Sequence, residues 1–310
     1  MSALLTAALG YAARGWHVFP LHPDSKRPAC PDHRASDCDG SDPRCRDRHT
    51  GWEGRATTDV ERIRRAWSSG GYGIGIACGP SQLVVLDRDT AKPDDVPPPR
   101  FAPYGVRSGA EMLAMLAVEA KASVPATYTV RTVSGGTHLY YRAPECEPLA
   151  NTAGSLGWLI DTRGRGGYVV APPTTIRGHP YTVTDDRDPA SMPGWLVALL
   201  IRHDIPAPRP SPRPVIPSDR AGRYVTAAIA GETAKVRMAL AGNRNHTLFC
   251  AAVALGQLVA GGSLADEDAR AALMQASAKH IAANAFTHAE AEATIRSGLA
   301  TGARNPRTAA

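Results

Sequence analysis

Asp87 and Asp89 stand one residue apart at the end of an unbroken apolar run, Leu83-Val84-Val85-Leu86. In a strand, residues i and i+2 project to the same side, roughly 7 Å apart, so the two carboxylates can share one or two divalent cations. Another apolar run, Leu156 to Ile160, leads into Asp161. Carboxylates that converge repel unless a cation neutralises them, and hard oxygen donors without a soft ligand nearby suit Mg²⁺ or Mn²⁺. Between the pair and the lone acid lies Ser134-Gly135-Gly136-Thr137-His138, a glycine turn opening a further apolar run. Glycines there let backbone N–H groups approach a phosphate, and His138 can donate to the same oxygens. Arg163 and Arg165 follow Asp161 on a glycine-rich loop and suit bidentate contacts to a triphosphate. Lys26 is a further phosphate candidate. These are the parts of a divalent-metal site for phosphoryl chemistry.

A second constellation reads Cys30-x2-His33-x4-Cys38-x6-Cys45-x3-His49. The surrounding segment is polar and has no core of its own, whereas tetrahedral Zn²⁺ needs four N or S donors. The expected set is Cys30, Cys38, Cys45 and His49, with His33 as the alternative, in a zinc-binding insertion spanning 28–52. Such a zinc would be structural, shaping a protrusion rather than doing chemistry.

The elements that must carry these residues follow from periodicity. Leu4, Ala8, Tyr11 and Ala12 form a helical stripe, and Trp16 to Leu21 reads as a short strand. Thr58-x-x-Glu61 is a capping box for a helix bearing Ile63 and Trp67. Ile74 to Leu86 supplies two strand segments around Gly79-Pro80. A proline-rich loop covers 91–107, and Glu111 to Ala120 is helical. Thr127 to Val133, 138–142 and Tyr168 to Ala171 are strands, and Trp195 to His203 is a closing helix. From Pro206 to Pro217 the proline spacing marks a stiff linker. Beyond it the pattern is helical, with Leu248, Ala252, Leu255 and Val259 on one face and a Thr287-x-x-Glu290 capping box opening the last helix. The expected organisation is a mixed α/β catalytic domain over 1–205, a linker over 206–218 and a helical bundle over 219–310.

The 310 residues suffice for about two domains, and 43% apolar with 21% charged content is ordinary for a soluble globular chain. A formal net charge of +6 suits a polyanionic partner. The six cysteines are unevenly spread, which argues against a secreted disulfide scaffold. No apolar stretch reaches the ~18 residues of a membrane span. The first thirteen residues read as a helix rather than a signal peptide, so the expected location is cytoplasmic.

Taken together, the motifs resemble the bifunctional DNA primase/polymerase (PrimPol) domain of the archaeo-eukaryotic primase superfamily, of the kind found in plasmids, phages and integrated elements. The similar stretches are Ala13 to Leu21 with Lys26, Ala56-Thr57-Thr58-Asp59 with Ile63 and Trp67, Gly73 to Ala77, Val85 to Asp89, Ser134 to His138, and Ile160-Asp161 through Gly166 to Pro173. The resemblance spans about residues 5–200. It implies an α+β fold with an RRM-like catalytic core of mostly antiparallel strands and flanking helices, followed by a small all-α bundle. It further implies that Asp87, Asp89 and Asp161 hold two divalent metals and that His138 contacts the incoming nucleotide. Arg88 departs from the pattern, standing between the acids where small or apolar residues are common. The tail, with Gly242-Asn243-Arg244-Asn245 and Ser297-Gly298-Leu299, is similar to the bundle that often follows such domains and helps initiate primers.

The implied activity is template-directed nucleotidyl transfer, making and extending primers on single-stranded DNA from NTPs or dNTPs. A two-metal nuclease is one rival, and a non-catalytic zinc-bearing single-strand-binding accessory protein is another. No P-loop of the Gly-x4-Gly-Lys-Ser/Thr type is present, so unwinding is expected from a separate helicase.

Overall fold

In the computed structural model, residues 2–31, 33–99, 101–145, 149–202, 218–240 and 243–308 are described. The chain forms two compact units. The first comprises Met1–Met112, Thr127–Ala143 and Ala150–Pro189, and the second Leu113–Ala126, Pro144–Leu149 and Ala190–Ala310. Residues 206–217 of the expected linker and Gly242 of the tail motif lie outside the described residues.

In chain order the first unit holds α1 (Ala3–Ala13), β1 (Val18–Leu21), α2 (Trp52–Arg55), α3 (Val60–Ser68), β2 (Gly73–Ala77), β3 (Leu83–Arg88) and the first turn of α4 (Gly109–Glu119). It continues with β4 (Tyr128–Arg131), β5 (Thr137–Arg142), β6 (Thr152–Gly157), β7 (Ile160–Arg163), β8 (Tyr168–Ala171), β9 (Thr175–Ile176), β10 (His179–Pro180) and β11 (Thr182–Asp185). One antiparallel sheet runs β1-β2-β8, and a larger one runs β11-β4-β5-β3-β7-β6, again with antiparallel neighbours. The fold is α+β with mostly antiparallel sheets, as expected.

β3 is flanked on both sides, which explains its continuous apolar run: Leu83 to Leu86 are all buried. Leu83 and Val85 join Tyr128, Val130 and Tyr140 in a core shared with β1, β2 and β8 and with Ile63 and Trp67 of α3. Each such fully buried aliphatic or aromatic side chain contributes about 1.5–3 kcal/mol. Trp16 is stacked on Tyr11 and Tyr140, at centroid separations of 5.6 and 5.7 Å, and links α1 to the larger sheet.

Two local expectations shift. The α3 helix is capped by Asp59, whose carboxylate accepts the Arg62 N–H at 2.8 Å, one residue beyond the expected Thr58. Asp59 is the stronger cap because its charge also faces the positive helix end. The apolar run Leu156 to Ile160 is not one strand: it breaks at a two-residue turn, Trp158-Leu159, because Gly157 pairs with Ile160 across the β6–β7 hairpin. Leu159, at the second position of the turn, takes the left-handed conformation (φ 63°). Asp161 therefore stands at the start of a strand, not at its end.

The second unit contains α5 (Gly194–Arg202), α6 (Ser218–Met238), α7 (Arg244–Ala260), α8 (Asp266–Ala282) and α9 (His288–Gly302). Leu248, Ala252 and Leu255 of the expected stripe are buried with Leu273 and Ile295, and Val259 packs at the margin. The Thr287–Glu290 capping box is present. Among the described residues no helix is long and apolar enough to cross a membrane.

Candidate active site

Alternation along β3 carries the inward face from Leu83 and Val85 out of the core to Asp87 and Asp89. The strands on either side complete a row. Asp87 is the register partner of His138 on β5 and of Asp161 on β7. Residues directly opposite on antiparallel strands share a face, with Cβ atoms roughly 4.5–5.5 Å apart. Asp89 lies just beyond β3, where its N–H donates to the Leu159 carbonyl at 2.9 Å and ties the acid pair to the β6–β7 turn. Arg88 projects to the opposite face and donates to Thr137 Oγ1 at 2.8 Å, so it stays out of the acidic group.

The electrostatics suit a divalent cation. Burial, followed by the charges of Asp87 and Asp161, pushes the Asp89 carboxyl above its usual range. Burial also acts to raise Asp87, but His138, Arg163 and Lys26 outweigh it and hold the carboxyl below its usual range. Asp87 Oδ1 is buried without a hydrogen bond, since His138 Nε2, at 3.4 Å, is too poorly aligned to donate. Asp161 accepts the Gly154 N–H at 3.0 Å and pairs with Arg163 at 3.1 Å. An orphaned carboxylate oxygen beside two more acids is the donor set that Mg²⁺ or Mn²⁺ takes.

A cavity of about 280 Å³ opens at Asp87 and His138 and is lined further by Lys26, Asn151, Arg163, Gly166-Gly167, Tyr168 and Tyr181. Of the phosphate candidates, Lys26 and Arg163 border it, whereas Arg165 is exposed outside its lining. Ser134, Gly135 and Gly136 form the β4–β5 turn and do not line it. Gly136 has a different reason to be glycine from the one expected: a Cβ there would fall 2.5 Å from the Arg88 carbonyl oxygen. The turn thus packs on the backbone that carries the acids.

Tyr181 and Asn151 carry no signal in the sequence. Tyr181 is almost wholly buried and lies 5.9 Å from His138, ring to ring. Asn151 Oδ1 accepts the Gly164 N–H at 3.0 Å and so holds the Arg163 loop. Neither belongs to a motif; only the fold brings them to the cavity.

The cysteine-rich segment brings together His33, Cys38, Cys45 and His49, whose donor atoms all lie within 4.8 Å of one another. His33 Nε2 is 3.7 Å and His49 Nδ1 4.0 Å from Cys45 Sγ. Zinc bonds of about 2.0–2.3 Å put tetrahedral donors about 3.3–3.8 Å apart, so small shifts close the site. Cys30, expected as a ligand, is exposed and outside this group. The Ala29 N–H donates to the Pro20 carbonyl, and Pro28 bridges to Leu21, so this stretch is fastened to β1 and His33 takes the fourth place. The Thr50 N–H, opposed by burial and assisted by His33, Cys38 and Arg55, lowers the pKa of the Cys45 thiol and favours the metal-binding thiolate.

With this geometry in view, comparison with known families is specific: residues 8–195 match the bifunctional DNA primase/polymerase, N-terminal (Prim-Pol) family. The match covers more than half of the chain, and the chain belongs to that family. Membership supports DNA primase/polymerase-type nucleotidyl transfer, with divalent-metal use and with DNA and nucleotides as the molecules bound. Comparison with curated proteins gives no match.

Proposed function

We propose that this protein makes and extends primers on single-stranded DNA, with the β5-β3-β7 row as its catalytic centre in an RRM-like core. The carrying observation is that three carboxylates share one sheet face beside a cavity bordered by Lys26, His138 and Arg163. Asp87, Asp89 and Asp161 hold two divalent cations. When bound, these ions acidify the attacking 3′-hydroxyl and neutralise the departing pyrophosphate. His138, fixed by β5 and buried against Tyr181, donates to the triphosphate. Arg163 pairs with Asp161 and can exchange that partner for a phosphate. Lys26 adds a positive charge at the rim. Arg165 and the Ser134-Gly135-Gly136 turn act from outside the cavity, the turn by supporting the acid-bearing backbone.

The His33, Cys38, Cys45 and His49 cluster binds a structural Zn²⁺ and helps present template. The C-terminal bundle serves initiation, a separate helicase unwinds, and the replicon is a plasmid, phage or integrated element. The test is synthesis on unprimed single-stranded template and extension of a primed one, with each nucleotide type in turn. Wild-type protein should yield product, and a protein lacking Asp87 and Asp89 carboxylates should yield none. Extension at the wild-type rate by that double variant, or degradation of labelled strand without synthesis, would overturn the reading.

A further inference from the structure

Helix α2 is a single turn placed between the Cys/His cluster and the cavity. Its last residue, Arg55, is buried and directed at the cluster: it donates to Cys45 Sγ at 3.1 Å, pairs with Asp42 at 2.7 Å and donates to the Thr50 carbonyl at 2.7 Å. Two residues earlier, the Glu53 carboxylate accepts the Gly166 N–H at 3.1 Å. Residues i and i+2 of a helix do not face each other, so Glu53 and Arg55 reach out in opposite directions from one turn. Trp52, at the start of the turn, packs on Tyr168 with ring centroids 4.8 Å apart, and Tyr168 lines the cavity.

The loop receiving this contact is the one that positions Arg163. Gly79, in the β2–β3 connection, leaves room for the joint, since a Cβ there would stand 2.9 Å from Glu53 Oε1 and 3.3 Å from Arg165 Cα. The Cys78 N–H donates to the Gly167 carbonyl and ties the other side of the loop to the core. Asn151 holds Gly164 and Ala150 bridges to Arg165, while Glu53 ties the loop to α2 and so to the cluster.

We infer that α2 is a strut through which metal in the Cys/His cluster sets the 163–167 loop and thereby nucleotide affinity, with Glu53 and Arg55 as positioning residues. This rests on the nucleotide-binding reading of the cavity. Without metal, the segment carrying Cys45 keeps its hydrogen bonds and the Asp42–Arg55 ion pair but loses coordination, so the anchor of Arg55 loosens and Glu53 loses its register. Neither residue touches substrate, and both act through the loop.

The test uses the full chain, zinc-loaded or stripped with a chelator and returned to Mg²⁺, with a fluorescent dATP analogue as probe. Glu53→Ala should weaken binding about tenfold, as is usual when an outer-shell partner is lost, while retaining bound zinc. Glu53→Gln keeps an acceptor oxygen and should stay within about twofold of wild type. Zinc stripping, or Cys45→Ser, should weaken binding to a similar degree. In the Glu53→Ala background it should add nothing, because both changes break one path. Hydrogen exchange at the 164–167 amides should quicken in each case, which reads the strut without catalysis. Unchanged exchange and affinity in Glu53→Ala, or fully multiplicative effects, would refute the strut. Wild-type protein that fails to bind the probe would instead count against the polymerase reading, and the exchange data would still decide the strut.

Discussion

Asp87 and Asp161 face each other across the β3–β7 ladder, 74 positions apart in sequence, and His138 faces Asp87 across the β3–β5 ladder. One strand position thus meets an acid on one flank and a histidine on the other. Burial and then the neighbouring acids raise the Asp89 pKa, whereas at Asp87 burial is outweighed by His138, Arg163 and Lys26, so the two pKa values shift in opposite directions although the residues are two apart.

Replacing Asp87 or Asp89 singly with Ala should lower primer extension by at least about a thousandfold, as for members of a cooperating catalytic set. The fold should survive, because each substitution removes a charge from a crowded acidic group. Mg²⁺ or Mn²⁺ should raise the melting temperature of the wild type and not of these variants. Thermal scans with and without metal, beside extension assays, check both points.

The pH dependence of metal-free stability follows from the sign of each shift. Asp89 is raised in the folded state, so its ionisation costs stability as pH climbs from about 3.9, the usual Asp value, through its folded pKa. Asp87 is depressed, so its stabilisation exists above that usual value and is lost as pH falls through its folded pKa. Asp89→Asn should remove the first effect and leave the second. Denaturant titrations between acid and neutral pH decide it, and an unaltered profile in Asp89→Asn would count against crowding of the acids. Metal affinity should rise over the same window as Asp89 gives up its proton.

His138→Ala should raise the nucleotide KM by about tenfold or more, since it removes a buried charge-assisted donor. It should also let the Asp87 pKa rise and so shift the acid limb of the rate profile upward. Steady-state kinetics across pH would show both changes, and neither should appear with Tyr141→Phe on the opposite face of the same strand.

Cys30→Ser should retain one equivalent of zinc, whereas replacing His33, Cys38, Cys45 or His49 should lose it. Metal analysis after dialysis is sufficient. Loss of zinc from Cys30→Ser with retention in His33→Ala would restore the ligand set read from spacing alone.

Much of the acidic centre was legible because alternation is a strong constraint: an apolar strand ending in Asp-x-Asp can present both acids only on one face. Asp161 was legible as a member of the acid set but not as the register partner of Asp87, since β-register depends on a turn hidden inside an apolar run. Spacing could count five possible zinc ligands but could not show that Cys30 is fastened to β1. Tyr181 and Asn151 carry no local signal at all, and only the meeting of separated strands gives them a role. The glycine turn was read as a phosphate cradle, whereas at Gly136 the decisive demand is close packing on the Arg88 carbonyl.

The two-residue turn at Trp158-Leu159 makes this chain unequal in its tolerance of length change. Adding one residue there would invert β7, carrying Asp161 to the far side of the sheet and bringing Ile160 to the place opposite Asp87. The 91–107 loop, by contrast, can grow at an entropic cost that rises only slowly with length. Engineering that extends or grafts onto this protein should therefore enter through that loop and leave the short hairpin at its present count.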